Sequence, residues 1–417
     1  MDVYAAVLLW AIPGFFVLIL VEIFYGHFIK NQTYTFMDTL ASLSSGMTNI
    51  IKDALGLALI LISYPFVLKN LALIEFESTN ALYIIAFICI DFAAYWIHRL
   101  NHKINLFWNQ HLIHHSSEEF NLACALRQSI SNLIGFTALF LLPAALLGIP
   151  SKVIMTLTPI HLFAQFWYHT RHIGTLGILE YILVTPSQHR VHHAINPIYI
   201  DKNLAAIFSI WDRLFGTFQK ELASDPPIYG TLKPSKSWNP IIINFQHIWI
   251  LMKDAWYTEK WRDKFILWLM PTGWRPSDVK KKFPITTRAI DINIKYQPLY
   301  TSRWKFIGIY HFTAQVFMLL FLLSEFGSLD PSFRIRFGSL ILLSIFGFTS
   351  LMDFYKWAPN FEIFRGILGV IFFLIPNQSF LLNEFPLISG YFVLYFISTL
   401  GIGLWSKSKY PNRVIAI

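Results

Sequence analysis

Apolar residues in this 417-residue chain gather in long runs instead of alternating with polar ones. A helix needs about 20 largely apolar residues to cross the hydrocarbon core of a bilayer. Nine runs approach that length: 3–25, 54–68, 81–97, 128–147, 153–168, 306–324, 337–352, 366–375 with an extension toward 382, and 385–405. Gly148 and Pro150 separate the fourth and fifth runs and predict a tight helical hairpin. Pro376 and Asn377 interrupt the eighth. The first run has neither a basic leader nor a small-residue cleavage site, so it reads as a retained helix and not a signal peptide.

The pattern predicts an all-α, polytopic transmembrane helical bundle of about nine segments. It divides into N-terminal membrane helices (1–80), a histidine-rich core (81–220), a polar segment (221–303) and C-terminal membrane helices (304–417). Within the polar segment, Trp249, Trp256, Trp261, Trp268 and Trp274 alternate with Lys253, Lys260, Arg262 and Lys264. That mixture suits helices lying at the level of lipid headgroups.

Composition agrees. The chain is 55% hydrophobic and 14% charged, with a mean hydropathy of +0.49. Soluble domains carry about 25% charged residues, so a soluble or disordered chain is excluded. The net charge of +9 raises nucleic acid as a partner. However, residues 169–305 hold 19 Lys/Arg against 10 Asp/Glu, a surplus that equals the charge of the whole chain. A basic excess confined to one region is the positive-inside signal of a membrane protein, so no nucleic-acid partner is expected. It assigns this region to the cytoplasm, with the tail carrying Lys407, Lys409 and Arg413. The N-terminus and the Glu75/Glu77 loop are expected outside, in an endoplasmic-reticulum or bacterial inner membrane. Cys89 and Cys124 make neither a disulfide framework nor a cysteine-rich zinc site.

Histidine carries the chemistry. Eleven of the 14 histidines fall between 98 and 193, under a quarter of the chain. Three blocks stand out: His98 with His102; His111 with His114 and His115; and His189 with His192 and His193. Helical residues at i, i+3 and i+4 share a face, so each block can present its imidazoles together. The eight could hold two metal ions with about four nitrogens each. Neutral imidazoles suit iron, zinc, copper or nickel and disfavour magnesium and calcium. The chain lacks the His-Glu-x-x-His string of zinc peptidases. A metal transporter or sensor would spread histidines through several membrane segments, whereas these sit together beside segment ends. Redox-active iron that activates O2 would instead let the protein attack an unactivated C–H bond of a lipid reaching it from the bilayer.

The strings Tyr95-Trp96-x-His98-Arg99-x-x-His102, His111-x-x-His114-His115-Ser116-Ser117-Glu118 and Thr185-Pro186-Ser187-x-His189-Arg190-Val191-His192-His193 resemble the fatty acid hydroxylase/sterol desaturase superfamily of membrane di-iron oxygenases. Asn121-Leu122, Ala125-Leu126-Arg127-Gln128-Ser129, Gln165-Phe166-Trp167-x-His169-Thr170, Asp201-Lys202-Asn203 and Ile210-Trp211-Asp212 bring the chain nearest its alkylglycerol monooxygenase branch. The resemblance implies O2-dependent lipid hydroxylation at two Fe ions; histidine sites in overexpressed protein often take zinc instead. In that branch the product is an unstable hemiacetal and the reductant is tetrahydrobiopterin. Lys103 and Arg171 stand where the branch carries acidic residues. A fatty acyl or sterol hydroxylase or desaturase served by a separate electron-donor protein is the alternative.

The resemblance also brings His169 forward, as a ninth ligand or as a residue supporting one. Metal-bound histidines commonly give their second N–H to a carboxylate or carbonyl, which makes Asp91, Glu118 and Asp212 supporting candidates. Tyr95 shares the Asp91–His98–His102 stripe, and Asn121, Arg127 and Asn196 are candidates to orient ligands or substrate. His27, His161, His172, His247 and His311 are expected to be structural.

Overall fold

The computed structural model describes residues 2–74, 79–135, 137–285, 295–374 and 384–410. The Glu75/Glu77 loop, the 375–382 extension and Arg413 lie outside them. The N-terminal part holds α1 (Asp2–Phe28), α2 (Phe36–Ala54) and α3 (Tyr64–Leu71). The histidine-rich core holds α4 (Asn80–Lys103), α5 (Asn105–His111), α6 (Leu142–Leu146), α7 (Ser151–Phe163), α8 (Pro186–His192) and α9 (Ile210–Leu214). Next come α10 (Pro240–Tyr257), α11 (Trp261–Ile266) and α12 (Ser277–Lys282). The C-terminal bundle is α13 (Ser302–Ser324), α14 (Pro331–Met352), α15 (Ala358–Leu374) and α16 (Pro386–Lys409).

The chain is an all-α membrane protein. Among the described residues, five helices are long and apolar enough to cross a bilayer: α1, α4, α13, α14 and α16. Within the described residues the other four predicted segments are shorter or broken. In the 54–68 run, α2 ends at Ala54, Gly56 turns with φ +63°, and Pro65 restarts a helix at α3. Between them Leu59–Ile60 pairs in parallel with Ile134–Gly135. That pairing also breaks the 128–147 run, leaving the short α6 behind Pro143. At 13 residues, α7 rises about 20 Å, short of a bilayer core. α15 is described over 17 residues.

Helix α2 was not foreseen as a core element, because Ser, Thr and Gly give it a polar sequence. It is nevertheless buried over much of its length. Two of its hydroxyls find backbone partners: Ser45 Oγ donates to the Gln128 carbonyl (2.8 Å) and Thr48 Oγ1 to that of Ser45 (2.7 Å). Gly46 lets the Leu126 carbonyl approach, since a Cβ there would lie 2.9 Å from that oxygen.

The C-terminal bundle is closed by small residues. A Cβ on Gly366 would lie 2.7 Å from the Leu400 amide, and one on Gly369 would enter the Phe396 ring. Lipid tails are as apolar as leucine, so membrane helices associate through such close packing. The bundle is tied to the polar 221–303 segment by buried Asp353, which accepts from Ser237 Oγ, the Trp238 amide (2.9 Å) and Tyr296 O–H (2.9 Å). On α10 and α11, Trp249, Trp256 and Trp261 are exposed, with Lys253 over the Trp249 ring and Lys264 over that of Trp261.

Candidate metal centre

Helix α4 sets His98 and His102 one turn apart at its end. The chain reverses at Ile104, and α5 returns with His111, followed by a 3-10 turn over His114–Ser116. Pro186 opens α8 at a position where its missing N–H costs nothing. This short helix presents His189, His192 and, at its C-cap, His193. His169 arrives from the loop after α7.

The nine imidazoles meet in two groups. His98, His102, His111, His115 and His192 form one, and His114, His169, His189 and His193 the other; within each, the ligand atoms lie within 4.8 Å of one another. The Nε2 atoms converge at 2.9 Å (His98–His111), 3.0 Å (His111–His115) and 3.1 Å (His102–His115). In the second group they stand at 2.9 Å (His169–His189), 3.0 Å (His189–His193) and 3.4 Å (His114–His169). Two nitrogens on one ion, each about 2.1 Å away, are separated by about 3.0 Å at a right angle and about 3.4 Å at the tetrahedral angle. The spacings match that range.

The other ring nitrogens fix the tautomers. His98 Nδ1 pairs with the Leu204 carbonyl (2.8 Å), His114 Nδ1 with that of Arg127 (3.2 Å), His169 Nδ1 with that of Gln165 (3.0 Å) and His192 Nδ1 with that of Lys202 (3.1 Å). A carbonyl only accepts, so these nitrogens carry the protons and their Nε2 atoms are bare. Bare lone pairs of His114 and His169 therefore face each other, and His192 Nε2 is buried without a partner among the described atoms. A cation in each group relieves both conditions. Burial, reinforced by neighbouring imidazoles, holds His111, His115, His169, His189, His192 and His193 well below the usual histidine range and brings His114 to about 3. They are thus neutral donors at pH 7, fit for two late first-row ions.

One loop orients three histidines of the five-membered group. Asp201 Oδ1 lies 3.4 Å from His102 Nδ1, while the Lys202 and Leu204 carbonyls hold His192 and His98. Asp201 and Asn203 adopt φ of +57° and +50°, a conformation costly for residues other than glycine. Asn203 is pinned by Nδ2–H bonds to the Gln188 and Gln219 carbonyls, and Asp212 accepts the Leu204 (2.7 Å) and Ala205 (3.0 Å) amides. In the sequence Asp201 stands out only within the Asp201-Lys202-Asn203 string; its role depends on a fold-back no local pattern announces. Lys103, one of the two departures, pairs with Asp201 at 2.7 Å. Arg171 is exposed.

The remaining candidates act at a distance. Arg127 pairs with buried Asp38 (2.9 Å), which fixes the carbonyl facing His114. Asp91 receives His161 Nε2 (2.7 Å), the Ile207 and Phe208 amides and Trp211 Nε1, so it anchors the 207–211 segment. Tyr95 bonds Thr217 and Arg99, and Asn121 donates to the Thr33 carbonyl. Asn196 donates to Asp225, and Glu118 accepts the Tyr296 amide. Replacing Asp212 by Ala frees the Leu204 segment. Metal affinity measured by chelator competition is expected to fall about 10- to 100-fold; unchanged affinity would remove Asp212 from this role.

Comparison with known proteins gives a concordant picture. Residues 83–217 match the profile of the family described as fatty acid hydroxylase. The chain is 31% identical to alkylglycerol monooxygenase of Homo sapiens over 399 residues, covering 95% of this chain and 87% of that protein. Against alkylglycerol monooxygenase of Danio rerio it is 34% identical over 393 residues, 91% and 86% of the two chains. Ornithine lipid hydroxylase OlsE of Rhizobium tropici is 29% identical over 135 residues, 32% of this chain and 41% of that one. No solved structure matches.

Proposed function

The chain belongs to the alkylglycerol monooxygenase family, and from that premise we propose that it cleaves the ether bond of alkylglycerols by O2-dependent hydroxylation at a di-iron site. The family supports the broader class directly: an integral-membrane lipid monooxygenase. The observation that carries the finer reading is the pairing of two all-imidazole groups whose bare nitrogens converge.

His98, His102, His111, His115 and His192 would hold one iron and His114, His169, His189 and His193 the other. Bound there, iron supplies the two-electron activation of O2 that acid–base groups cannot. The protein's part is to orient and to keep the site dry. The Leu204 and Lys202 carbonyls aim two rings, and the Arg127 carbonyl a third. Phe120 stacks on His169 at 5.8 Å and Tyr168 packs against His189 at 4.3 Å, both buried, so water is excluded from the four-histidine side.

Hydroxylation consumes O2, two electrons and two protons, puts one oxygen on the ether carbon and releases the other as water. The hemiacetal so formed breaks to a fatty aldehyde and glycerol. Tetrahydrobiopterin is the proposed reductant, with a protein electron donor as the alternative. The basic surplus of residues 169–305 supports a cytoplasmic histidine face.

Membranes containing the protein, supplied with O2, a 1-O-alkylglycerol and tetrahydrobiopterin, are expected to release fatty aldehyde and free glycerol. Ether lipids left intact while hydroxylated acyl chains accumulate would overturn the alkylglycerol assignment.

A further inference from the structure

A groove of about 640 Å³ runs between α1 and α7 on the outer surface of the N-terminal part. Its lining is apolar throughout, with Trp10, Val17 and Leu18 on one wall and Phe163 on the other. Gly14 leaves its floor open, since a Cβ there would meet nothing within 4 Å. From Trp10 to Leu18 the helix rises about 12 Å, which accommodates one extended alkyl segment.

One lining residue, Phe15, packs toward the segment that carries His169. Phe15 lies 5.5 Å from Phe163 and 4.5 Å from Phe166, ring to ring. Behind them Ile19, Ala123, Ala125 and Phe166 form a small buried apolar cluster. The Phe166 carbonyl accepts the His169 amide (3.3 Å), and Phe120 lies against both His169 and His193. Buried Glu22 secures this side of α1, accepting from Thr170 Oγ1, beside His169, and from the Leu122 amide (2.8 Å). Packed apolar side chains thus lead from the lipid-facing side of α1 inward to Phe166, three residues before His169. A second groove, between α13 and α16, is bordered by Arg303, Phe306, Ser398 and Trp405; no cluster histidine lines either groove, but only the α1/α7 groove includes a residue, Phe15, that packs on the segment leading to His169.

On the lipid-oxygenation reading above, we infer that the α1/α7 groove holds the hydrocarbon tail of the substrate, with Phe15 and Phe166 forming the threshold to the four-histidine group. The tail remains at bilayer level while the polar end lies at the metals. That arrangement lets a single-chain lipid present the carbon next to its headgroup without leaving the membrane.

The test uses the full chain in lipid nanodiscs and a 1-O-hexadecylglycerol carrying a diazirine in its tail. Photolysis should label Trp10 or Phe163, and excess unlabelled 1-O-hexadecylglycerol should displace the label. Gly14→Trp adds an indole at a groove-lining position where a Cβ meets no neighbour, so displaceable labelling should fall about tenfold, and turnover should shift by a similar factor toward shorter alkyl chains. Phe15→Ala opens the threshold and should retain labelling while broadening chain-length tolerance. Labelling that is not displaceable, or a wild-type chain-length profile in Gly14→Trp, would overturn the groove assignment. The two readings fail separately: turnover without groove labelling rejects the groove alone, while displaceable labelling without any turnover rejects the oxygenase reading alone.

Discussion

Replacing His192 by Ala is expected to abolish lipid oxidation and to lower the metal content of purified protein from about two ions per chain to about one. His192 belongs with His98, His102, His111 and His115, and its buried Nε2 has no described partner but that group. It is the one donor that α8 gives that group, so its loss leaves one side of the ion without a ligand, while the four-histidine group keeps every donor. His114→Ala should do the reverse, because His114 completes the other group. Elemental analysis of each variant, with iron spectroscopy on reconstituted protein, separates the outcomes. Full activity in either variant, or loss of both ions from both, would contradict two independent groups.

The second large effect lies in the C-terminal bundle. Glu362 and Arg365 are paired and fully buried between α13, α14 and α16, where Arg365 also donates to Tyr395 O–H (2.8 Å). His311 Nδ1 and Gln315 Nε2 reach the same hydroxyl (3.0 and 2.6 Å). Gly347 makes room for the pair, since a Cβ there would collide with Glu362. Removing one partner leaves a charge uncompensated in a low-dielectric interior, at about 3–5 kcal/mol. Glu362→Gln is therefore expected to unfold or aggregate at markedly lower temperature than the parent in detergent. The double variant Glu362→Gln/Arg365→Met should regain most of that loss, because no charge remains buried. Equal thermal stability of Glu362→Gln and the parent would show that the pair contributes nothing.

Legibility from the sequence followed the range of the forces involved. Uniform apolar runs announced α1, α4, α13, α14 and α16, because crossing a bilayer demands hydropathy at nearly every position. The 54–68 and 128–147 runs misled, since hydropathy alone does not register Gly56, Pro65 and a strand pairing between residues 75 apart. α2 escaped for the opposite reason: its buried hydroxyls meet distant partners, Ser45 the Gln128 carbonyl and Ser42 the Arg127 guanidinium, which no hydropathy pattern encodes. Likewise the Asp201 carboxylate and the Arg127 carbonyl meet imidazoles that only tertiary folding brings against them.

The histidine blocks divide the same way. A helix turns about 100° per residue, so i and i+4 lie about 40° apart and i+3 about 60° to the other side. The i,i+4 pairs His98/His102, His111/His115 and His189/His193 each stay within one group. The i+3 members, His114 and His192, cross to the opposite group. Local geometry written in the sequence therefore determined that imidazoles gather and which ones travel in pairs. Which pairs share an ion, the five-and-four division, and the place of His169 were decided only by tertiary structure. Those depend on the distances between α4, α5, α8 and the loop after α7, which are set by packing and not by residue spacing along the chain.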